Sequence, residues 1–217
     1  MTRLRIALIG REAEFYFSAF PEHECRVIKD LSEVSEVDDL LFCLSFPNLV
    51  PDEVLRLPKH GVWVNHSSDL PDGRGWAPLQ WSVLKSLPEV TVTLFRATAR
   101  CDEGPWAFKA SYPISKIDTI ETLYAKDAAV SRALYRSLIE SISNGSLIVH
   151  EQIGAPSYWP RRRPSDSRLD ASQPLVSLWD HIRICDNANY PAFFLVDGHK
   201  VTLRYEVERH PYKDDIS

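Results

Sequence analysis

The chain has 217 residues, of which 44% are apolar and 25% are charged, and its formal net charge is -5. This composition is typical of a globular protein with one well-buried core. A negative chain has no general attraction for nucleic acid, and no apolar run reaches the roughly 18 residues that span a bilayer. Nucleic-acid-binding and membrane-spanning proteins are therefore disfavoured.

The four cysteines are far apart in sequence, at positions 25, 43, 101 and 185. They form no CxxC pair, so the sequence predicts no metal site. Cys43 and Cys185 lie in apolar runs, which favours reduced core thiols and a cytoplasmic location. The first ten residues have too short an apolar run and lack the cleavage signal of a secretory leader, so we interpret them as a first strand.

The first half of the chain alternates apolar strands with short helices. Continuous apolar strands of this kind belong to parallel sheets that are covered on both faces. The sequence therefore predicts an α/β fold with a Rossmann-like open sheet. The predicted strands are 5–10, 25–30, 38–46 and 61–67, and the predicted helices are 51–59 and 78–87.

A strand at 89–100, with apolar residues at alternate positions, follows and can pair with 105–114. A long amphipathic helix is predicted from Asp118 to the stop signal at Asn144-Gly145. After residue 150 the composition changes, with an irregular segment at 154–174, a helix at 177–186 and a β-hairpin at 192–208 that turns at Asp197-Gly198. We therefore expect a catalytic domain at 1–150 and a small C-terminal extension at 151–217.

Ligands of open α/β sheets collect at the carboxyl ends of the parallel strands. Three predicted strand ends qualify, at Gly10, at 45–48 and at 65–67. No GxGxxG follows the first strand, which disfavours a bound dinucleotide. Ligand binding is therefore expected at the other loops.

His66 and Asp102 are the candidate reacting groups. His66 ends an apolar strand and enters a rigid turn, which suits an imidazole used for general acid–base work. Asp102 follows another strand and precedes Gly104, where the backbone can approach a ligand closely. Taken singly, each has an ordinary structural explanation, as a histidine at a strand end or an acidic hairpin turn.

Together, these stretches resemble the formyltransferase family that uses a 10-formyltetrahydrofolate donor. The family combines Asn-x-His with a Leu-Pro turn, an Arg-Gly and a later Asp-x-Gly. The chain has "HSSDLPDGRGWAP" at 66–78 and "CDEG" at 101–104, with Asp102 placed 36 residues after His66. The resemblance covers residues 40–145 and implies a sheet of the formyltransferase type.

The C-terminal third carries a second resemblance. "RRRPSDSRLD" at 161–170, a helix ending "IRICD" and then "YPAFFLVDGHKV" are similar to the segment that follows the catalytic domain in sugar N-formyltransferases. Methionyl-tRNA formyltransferase has this segment too, but its large C-terminal domain has no room here. The resemblance therefore implies a nucleotide-linked amino sugar as acceptor and a place in lipopolysaccharide biosynthesis.

The resemblance also implies roles for particular residues. His66 and Asp102 are the expected catalytic pair, with Asp102 also contacting the donor. Arg74 and Trp76 are expected on the amino-sugar side, although "RGW" could instead lock the turn with Trp76 in the core. The loops expected to hold the folate donor contribute Leu44, Phe46, Asn48, Ala99 and Arg100.

One departure from the family pattern affects catalysis directly. The family asparagine lies two residues before the histidine, and that position holds Val64 here. We expect the adjacent Asn65 to replace it, which requires the strand to leave ideal geometry before His66. One alternative is that Asn48 supplies the amide, and a further alternative is that no asparagine contributes.

Three functions stay open at this point: a sugar N-formyltransferase, an enzyme that formylates another small amine such as an amino acid derivative or a purine precursor, and a non-catalytic relative that binds the folate or the nucleotide sugar. Small-molecule substrates are the implied partners, with a homodimer as an open alternative.

Overall fold

The computed structural model describes residues 3–208. Its elements in chain order are β1 (Arg5–Ile9), α1 (Ala13–Phe17), β2 (Glu24–Val27), β3 (Leu40–Cys43), α2 (Asp52–Leu55), β4 (Val62–His66), β5 (Arg74–Gly75), α3 (Pro78–Leu84), β6 (Glu89–Arg96), β7 (Trp106–Pro113), α4 (Ile120–Ser143), β8 (Tyr158–Trp159), α5 (Leu175–Arg183), β9 (Ala192–Val196) and β10 (His199–Leu203).

The central sheet has, within residues 3–208, six strands in the order β2-β1-β3-β4-β6-β7. Strands β2, β1, β3 and β4 are parallel, whereas β6 runs antiparallel to β4 and β7 antiparallel to β6. The predicted α/β open sheet is therefore confirmed. Because β2 and β3 lie on opposite sides of β1, the strand order reverses between β1 and β3, where ligands of such sheets bind.

Both faces of the sheet are apolar. On one face, side chains such as Leu8, Phe42, Trp63 and Leu94 pack against α1, α3 and α4. On the other face, a second cluster includes Val62 and the half-buried Val64. Consecutive strand residues alternate between these two clusters, as expected for regular extended chain.

Helix α4 runs from Ile120 to Ser143 and ends at Asn144, close to the predicted bounds. Its N-cap is Thr119, which exchanges hydrogen bonds with Thr122, so the expected start at Asp118 is one residue early. Asp118 is instead buried, and its carboxylate accepts hydrogen bonds from the Ser115 backbone and from Lys126. These bonds hold the chain that enters α4.

The C-terminal region has its own small core of Leu169, Ile182, Cys185 and Ala192. Its helix α5 starts at Leu175, two residues before the predicted start. The predicted hairpin is present as β9 and β10, which form a separate two-stranded sheet. The domain boundary near residue 150 stays a prediction. None of the helices in the described part of the chain is long and apolar enough to cross a membrane.

Candidate active site

His66 is the last residue of β4, and it is buried at 8% exposure. Its ring nitrogen Nε2 lies 2.8 Å from the backbone carbonyl oxygen of Gly73. A carbonyl oxygen can only accept a hydrogen bond, so Nε2 carries the hydrogen. Nδ1 is therefore the ring nitrogen that is left to exchange a proton.

Asp102 lies in the loop between β6 and β7, in the left-handed region with a φ of 54°. Its Oδ2 accepts a hydrogen bond from the Gly75 backbone N–H at 2.8 Å. His66 and Asp102 are thus held by the same short turn, one by the carbonyl of Gly73 and the other by the N–H of Gly75. The structure brings these two predicted residues together through the turn of residues 73–75.

Position 104 has no space for a side chain, because it packs against the backbone of Arg96. A Cβ at this position would lie 1.6 Å from the carbonyl oxygen of Arg96. The close neighbour is the end of β6, so packing within the protein already accounts for this glycine, and the close approach of a ligand stays a prediction. The glycine folds the loop tightly and so fixes where Asp102 stands.

Asn65 and His66 do not face the same cavity, and that expectation is wrong. The Asn65 amide donates to Ser131 Oγ at 3.0 Å and accepts from the Tyr135 hydroxyl at 3.1 Å, both on α4. Strand β4 stays regular to its end, with Asn65 opposite Leu94 and His66 opposite Thr93 on β6. Adjacent residues of a regular strand point to opposite faces, so the His66 ring lies on the opposite face of β4 from the Asn65 amide.

Val64 shares the face of His66, because two residues separate them along β4. It is half-buried and, like Ala97, packs against the buried apolar cluster that includes Val62. The position where the family has its asparagine therefore presents a side chain with no hydrogen-bonding group. Asn48, the other candidate amide, is exposed in the loop after β3.

The first predicted donor loop is tied to the end of β1. Gly10 has a φ of 116°, and a Cβ there would lie 2.0 Å from the Leu44 carbonyl oxygen. The Leu44 side chain is fully buried, whereas Phe46 is half-buried. The ends of β1 and β3 pack closely and bury the Leu44 side chain. Of the residues predicted to contact the folate in this loop, Phe46 and Asn48 therefore have accessible side chains.

The second predicted donor loop is more open. Ala99 and Arg100 are both exposed, and Arg100 forms an ion pair with Glu103 at 3.3 Å. The exposed thiol of Cys101 donates to Asp102 Oδ2 at 3.3 Å. Partial desolvation of the sulfur and the neighbouring Asp102 carboxylate raise the pKa of Cys101 to about 12, so this thiol stays protonated near neutral pH.

Arg74 contacts the protein itself. Its guanidinium is buried, with ion-pair and hydrogen-bond distances of 2.9 Å to Glu103, 2.7 Å to Gln152 and 3.3 Å to the Tyr158 hydroxyl. The open alternative of a residue that locks the turn therefore describes Arg74 well. These contacts occupy most of the donors that a substrate would use.

Trp76 has a different environment from Arg74. It is 42% exposed, so the alternative that placed it in the core is wrong. The Arg161 guanidinium lies over its ring, 4.7 Å from the ring centre. An exposed aromatic ring with a cation beside it is suited to contact a charged, partly apolar ligand.

Sequence reasoning missed the segment of residues 152–159, which we call the strap. It contains β8, which pairs in parallel with β5, and it crosses the turn that holds His66 and Asp102. Gln152 and Ser157 make the main side-chain contacts. The partners of these two side chains are 48 to 85 residues away in sequence, and no local pattern signals them.

Asp127 on α4 is a second residue that the sequence did not single out. Burial raises the pKa of the Asp127 carboxyl to about 6, although hydrogen bonds from Ser67 and Tyr112 oppose the shift. The Tyr112 hydroxyl donates to Asp127 Oδ1 at 3.2 Å. A carboxyl that titrates near neutrality thus lies beside the end of β4, close to His66.

Among the residues that the structure describes, two buried side-chain polar atoms have no hydrogen-bond partner, Ser68 Oγ and Arg74 Nε. Both belong to the segment that follows His66. Buried polar groups are nearly always satisfied, so these two mark a place where water or a ligand can complete the bonding.

The open sheet and the reversal of its strand order define an α/β fold of the class that binds ligands at strand-end loops. The profile of the family described as formyl transferase matches residues 17–139, more than half of the chain. The chain belongs to the formyl transferase family, and it is a transferase enzyme.

Solved structures show the same fold across almost the whole chain. Methionyl-tRNA formyltransferase from Clostridium thermocellum matches with a TM-score of 0.77 and 18% identity, over 96% of this chain and 94% of that one. A sugar N-formyltransferase from a Shewanella species matches with a TM-score of 0.74 and 15% identity, over 95% and 99%. Likeness at these identities concerns the fold.

A third structure was determined with a folate. HypX from Aquifex aeolicus in complex with tetrahydrofolic acid matches with a TM-score of 0.76 and 20% identity, over 93% of this chain. The match covers 37% of the HypX chain, so HypX has a large part with no counterpart here.

Proposed function

We propose that the protein transfers the formyl group of 10-formyltetrahydrofolate to the amine of a nucleotide-linked amino sugar. The observation that carries the proposal is the attachment of His66 and Asp102 to one turn, at 2.8 Å each. Family membership supports the reaction class, and the sugar N-formyltransferase matched over 99% of its length supports the acceptor.

In this proposal His66 carries the proton. The amine attacks the formyl carbon and loses a proton, which His66 Nδ1 accepts and can return to the leaving folate nitrogen. Asp102 adds a negative charge near the turn, which favours the imidazolium that forms. Nε2 keeps its hydrogen throughout, because the Gly73 carbonyl oxygen accepts it.

Negative charge develops on the formyl oxygen as the amine attacks. The family asparagine would donate a hydrogen bond to it, and Val64 cannot. We propose that the charged His66 supplies the main stabilisation and that turnover is correspondingly slow. Asn65 has a structural part instead, since Ser131 and Tyr135 occupy its amide.

The two substrates would approach from different sides. The proposal places the folate donor between the loops of residues 44–48 and 97–103, on the face of β4 that carries Val64 and His66. The complex of HypX with tetrahydrofolic acid supports a folate donor. The amino sugar would contact Trp76, with Arg161 beside it as a cation for a diphosphate.

A transfer assay tests the proposal. The protein is incubated with 10-formyltetrahydrofolate and a panel of nucleotide-linked amino sugars, and mass spectrometry detects the gain of one formyl group. Amino acid derivatives and purine-precursor amines in the same panel test the alternative acceptors. Formylation of an amino sugar supports the proposal. Formylation of another amine alone, or tetrahydrofolate binding without any product, would overturn it.

A further inference from the structure

The turn of residues 73–75 is held by the strap, which follows β7 and α4 in the chain. The Arg74 backbone N–H donates to the Ser157 carbonyl oxygen at 3.0 Å, and the Gly73 carbonyl oxygen lies 2.8 Å from His66 Nε2. The N–H and C=O of a trans peptide point in opposite directions. The bond to Ser157 therefore aims the Gly73 carbonyl at His66.

Ser157 also fixes the other side of Gly73. Its hydroxyl accepts a hydrogen bond from the Gly73 N–H at 2.9 Å and donates to the Asp72 carboxylate. The hydroxyl group thus uses both of its functions on this turn. The peptide planes before and after Gly73 are both set by Ser157.

Gln152 links the turn to the loop of Asp102. Its Nε2 donates to the carbonyl oxygens of Asp102 at 2.9 Å and Gly104 at 2.8 Å. Its Oε1 accepts from Arg74 Nη2 at 2.7 Å. The half-buried Gln152 amide therefore uses both of its N–H groups and its oxygen. It links the loop of Asp102 to the turn of residues 73–75.

Trp159 adds close packing against the same turn. A Cβ at Gly73 would lie 2.7 Å from the Trp159 ring, and one at Gly75 would lie 2.6 Å from the Trp159 carbonyl oxygen. Both glycines also have a positive φ. The turn and the strap are therefore fitted to each other with no space for side chains.

We propose that Gln152 and Ser157 are positioning residues that hold His66 and Asp102 in register through the turn of residues 73–75. The inference rests on the proposed function only for the identity of His66 and Asp102 as the reacting groups. Small displacements of reacting groups are costly, so loss of either positioning residue should lower kcat by roughly 10- to 100-fold.

The test uses two matched sets of variants. Gln152→Ala removes all three hydrogen bonds, whereas Gln152→Glu keeps the acceptor for Arg74 and loses both donors to the loop. Ser157→Ala removes the hydroxyl, and Ser157→Thr restores it. Glu151→Ala is the control, because Glu151 is exposed, adjacent and of the same length as Gln152.

Two readouts separate positioning from general stability. In kinetics, kcat should fall for both Gln152 variants and for Ser157→Ala, return towards wild type for Ser157→Thr, and stay unchanged for Glu151→Ala. In long-range proton–nitrogen NMR, with His66 assigned by comparison with His66→Asn, neutral His66 should carry its hydrogen on Nε2. Ser157→Ala keeps the backbone bond to Arg74 but releases the Gly73 N–H, so the Gly73 carbonyl should become less firmly held and part of His66 should change to the other tautomer.

The NMR readout needs no substrate, so it tests the positioning even where no formyl transfer is detected. A wild-type His66 spectrum and wild-type kcat in Ser157→Ala and in a Gln152 variant would overturn the inference and leave the proposed function standing. Should Gln152→Ala fail to fold, the Ser157 pair carries the test alone. A loss of kcat that Ser157→Thr does not recover would count against positioning by the hydroxyl.

Discussion

The Asn65 side chain accepts a hydrogen bond from the Tyr135 hydroxyl at 3.1 Å, across the interface between β4 and α4. The contact is buried, because Tyr135 is fully inaccessible. It fixes the face of the sheet to which Asn65 belongs and leaves His66 on the other. Under the proposed function, formyl transfer on the His66 face would proceed with Val64 at the position where the family has an amide.

Replacing His66 removes the proposed proton carrier. His66→Asn should lower turnover by roughly 10²- to 10⁴-fold, because proton transfer by a positioned side chain contributes about that much. Steady-state assays with circular dichroism will check activity and folding together. His199→Asn, on the exposed strand β10, is the control. Turnover near wild type in His66→Asn would refute the assignment.

Replacing Asp102 with asparagine isolates its charge. The new amide can still accept the Gly75 N–H through its own oxygen, so the turn should keep its shape while the imidazolium loses a stabilising charge. We expect kcat to fall at least about tenfold. Asp197→Asn is the matched control, since Asp197 also has a left-handed φ, of 47°, and lies in the distant hairpin turn. Equal turnover of both variants would contradict a role for the charge.

Restoring the family amide should increase activity. Val64→Asn places a donor on the face of His66, and one such donor is typically worth about 10²-fold in kcat. Because the site has adapted to valine, we expect a gain of roughly tenfold. Val64→Thr, similar in shape to valine and without an amide, is the control. No difference between the two variants would show that this position does not reach the formyl oxygen.

Removing the Asn65 amide should affect stability rather than chemistry. Asn65→Ala leaves Ser131 Oγ and the Tyr135 hydroxyl without this partner in a buried place, at a cost of about 1–3 kcal/mol in the free energy of unfolding. Urea denaturation measures the loss, with the exposed Asn48→Ala as the reference for stability. A large loss of turnover without a loss of stability would return Asn65 to the reacting centre.

The raised pKa of Asp127 implies that the stability of the protein depends on pH. Burial raises its pKa to about 6 in the folded protein, so between pH 4 and 6 the folded state binds more protons than the unfolded state. Stability therefore falls as the pH rises through this window. Asp127→Asn removes the buried charge and should stabilise the protein by about 3 kcal/mol at pH 7.5, with almost no effect at pH 4. Thermal unfolding at the two pH values checks this, and an equal effect at both would contradict it.

Much of the fold was available from sequence because it depends on local patterns. The apolar runs that became β1, β3 and β4 predicted a parallel sheet, and Asp197-Gly198 predicted the turn of the β9–β10 hairpin. The spacing of His66 and Asp102 led to the family that the profile match then established. The predicted helix ends were less accurate. The N-cap of α4 is Thr119, which forms reciprocal hydrogen bonds with Thr122, whereas the sequence favoured the neighbouring Asp118 as the cap.

What the sequence alone determined was the set of strand ends and the residue types placed on them. Tertiary structure decided which of those residues meet. Pairing with Leu94 and Thr93 kept β4 regular through Asn65 and His66, so the amide went to α4 and the imidazole to the other face. The strap reached its turn through Gln152 and Ser157, whose partners lie 48 to 85 residues away. Side-chain alternation is a local property of the strand, whereas these contacts exist only after the sheet, α4 and the strap have packed together.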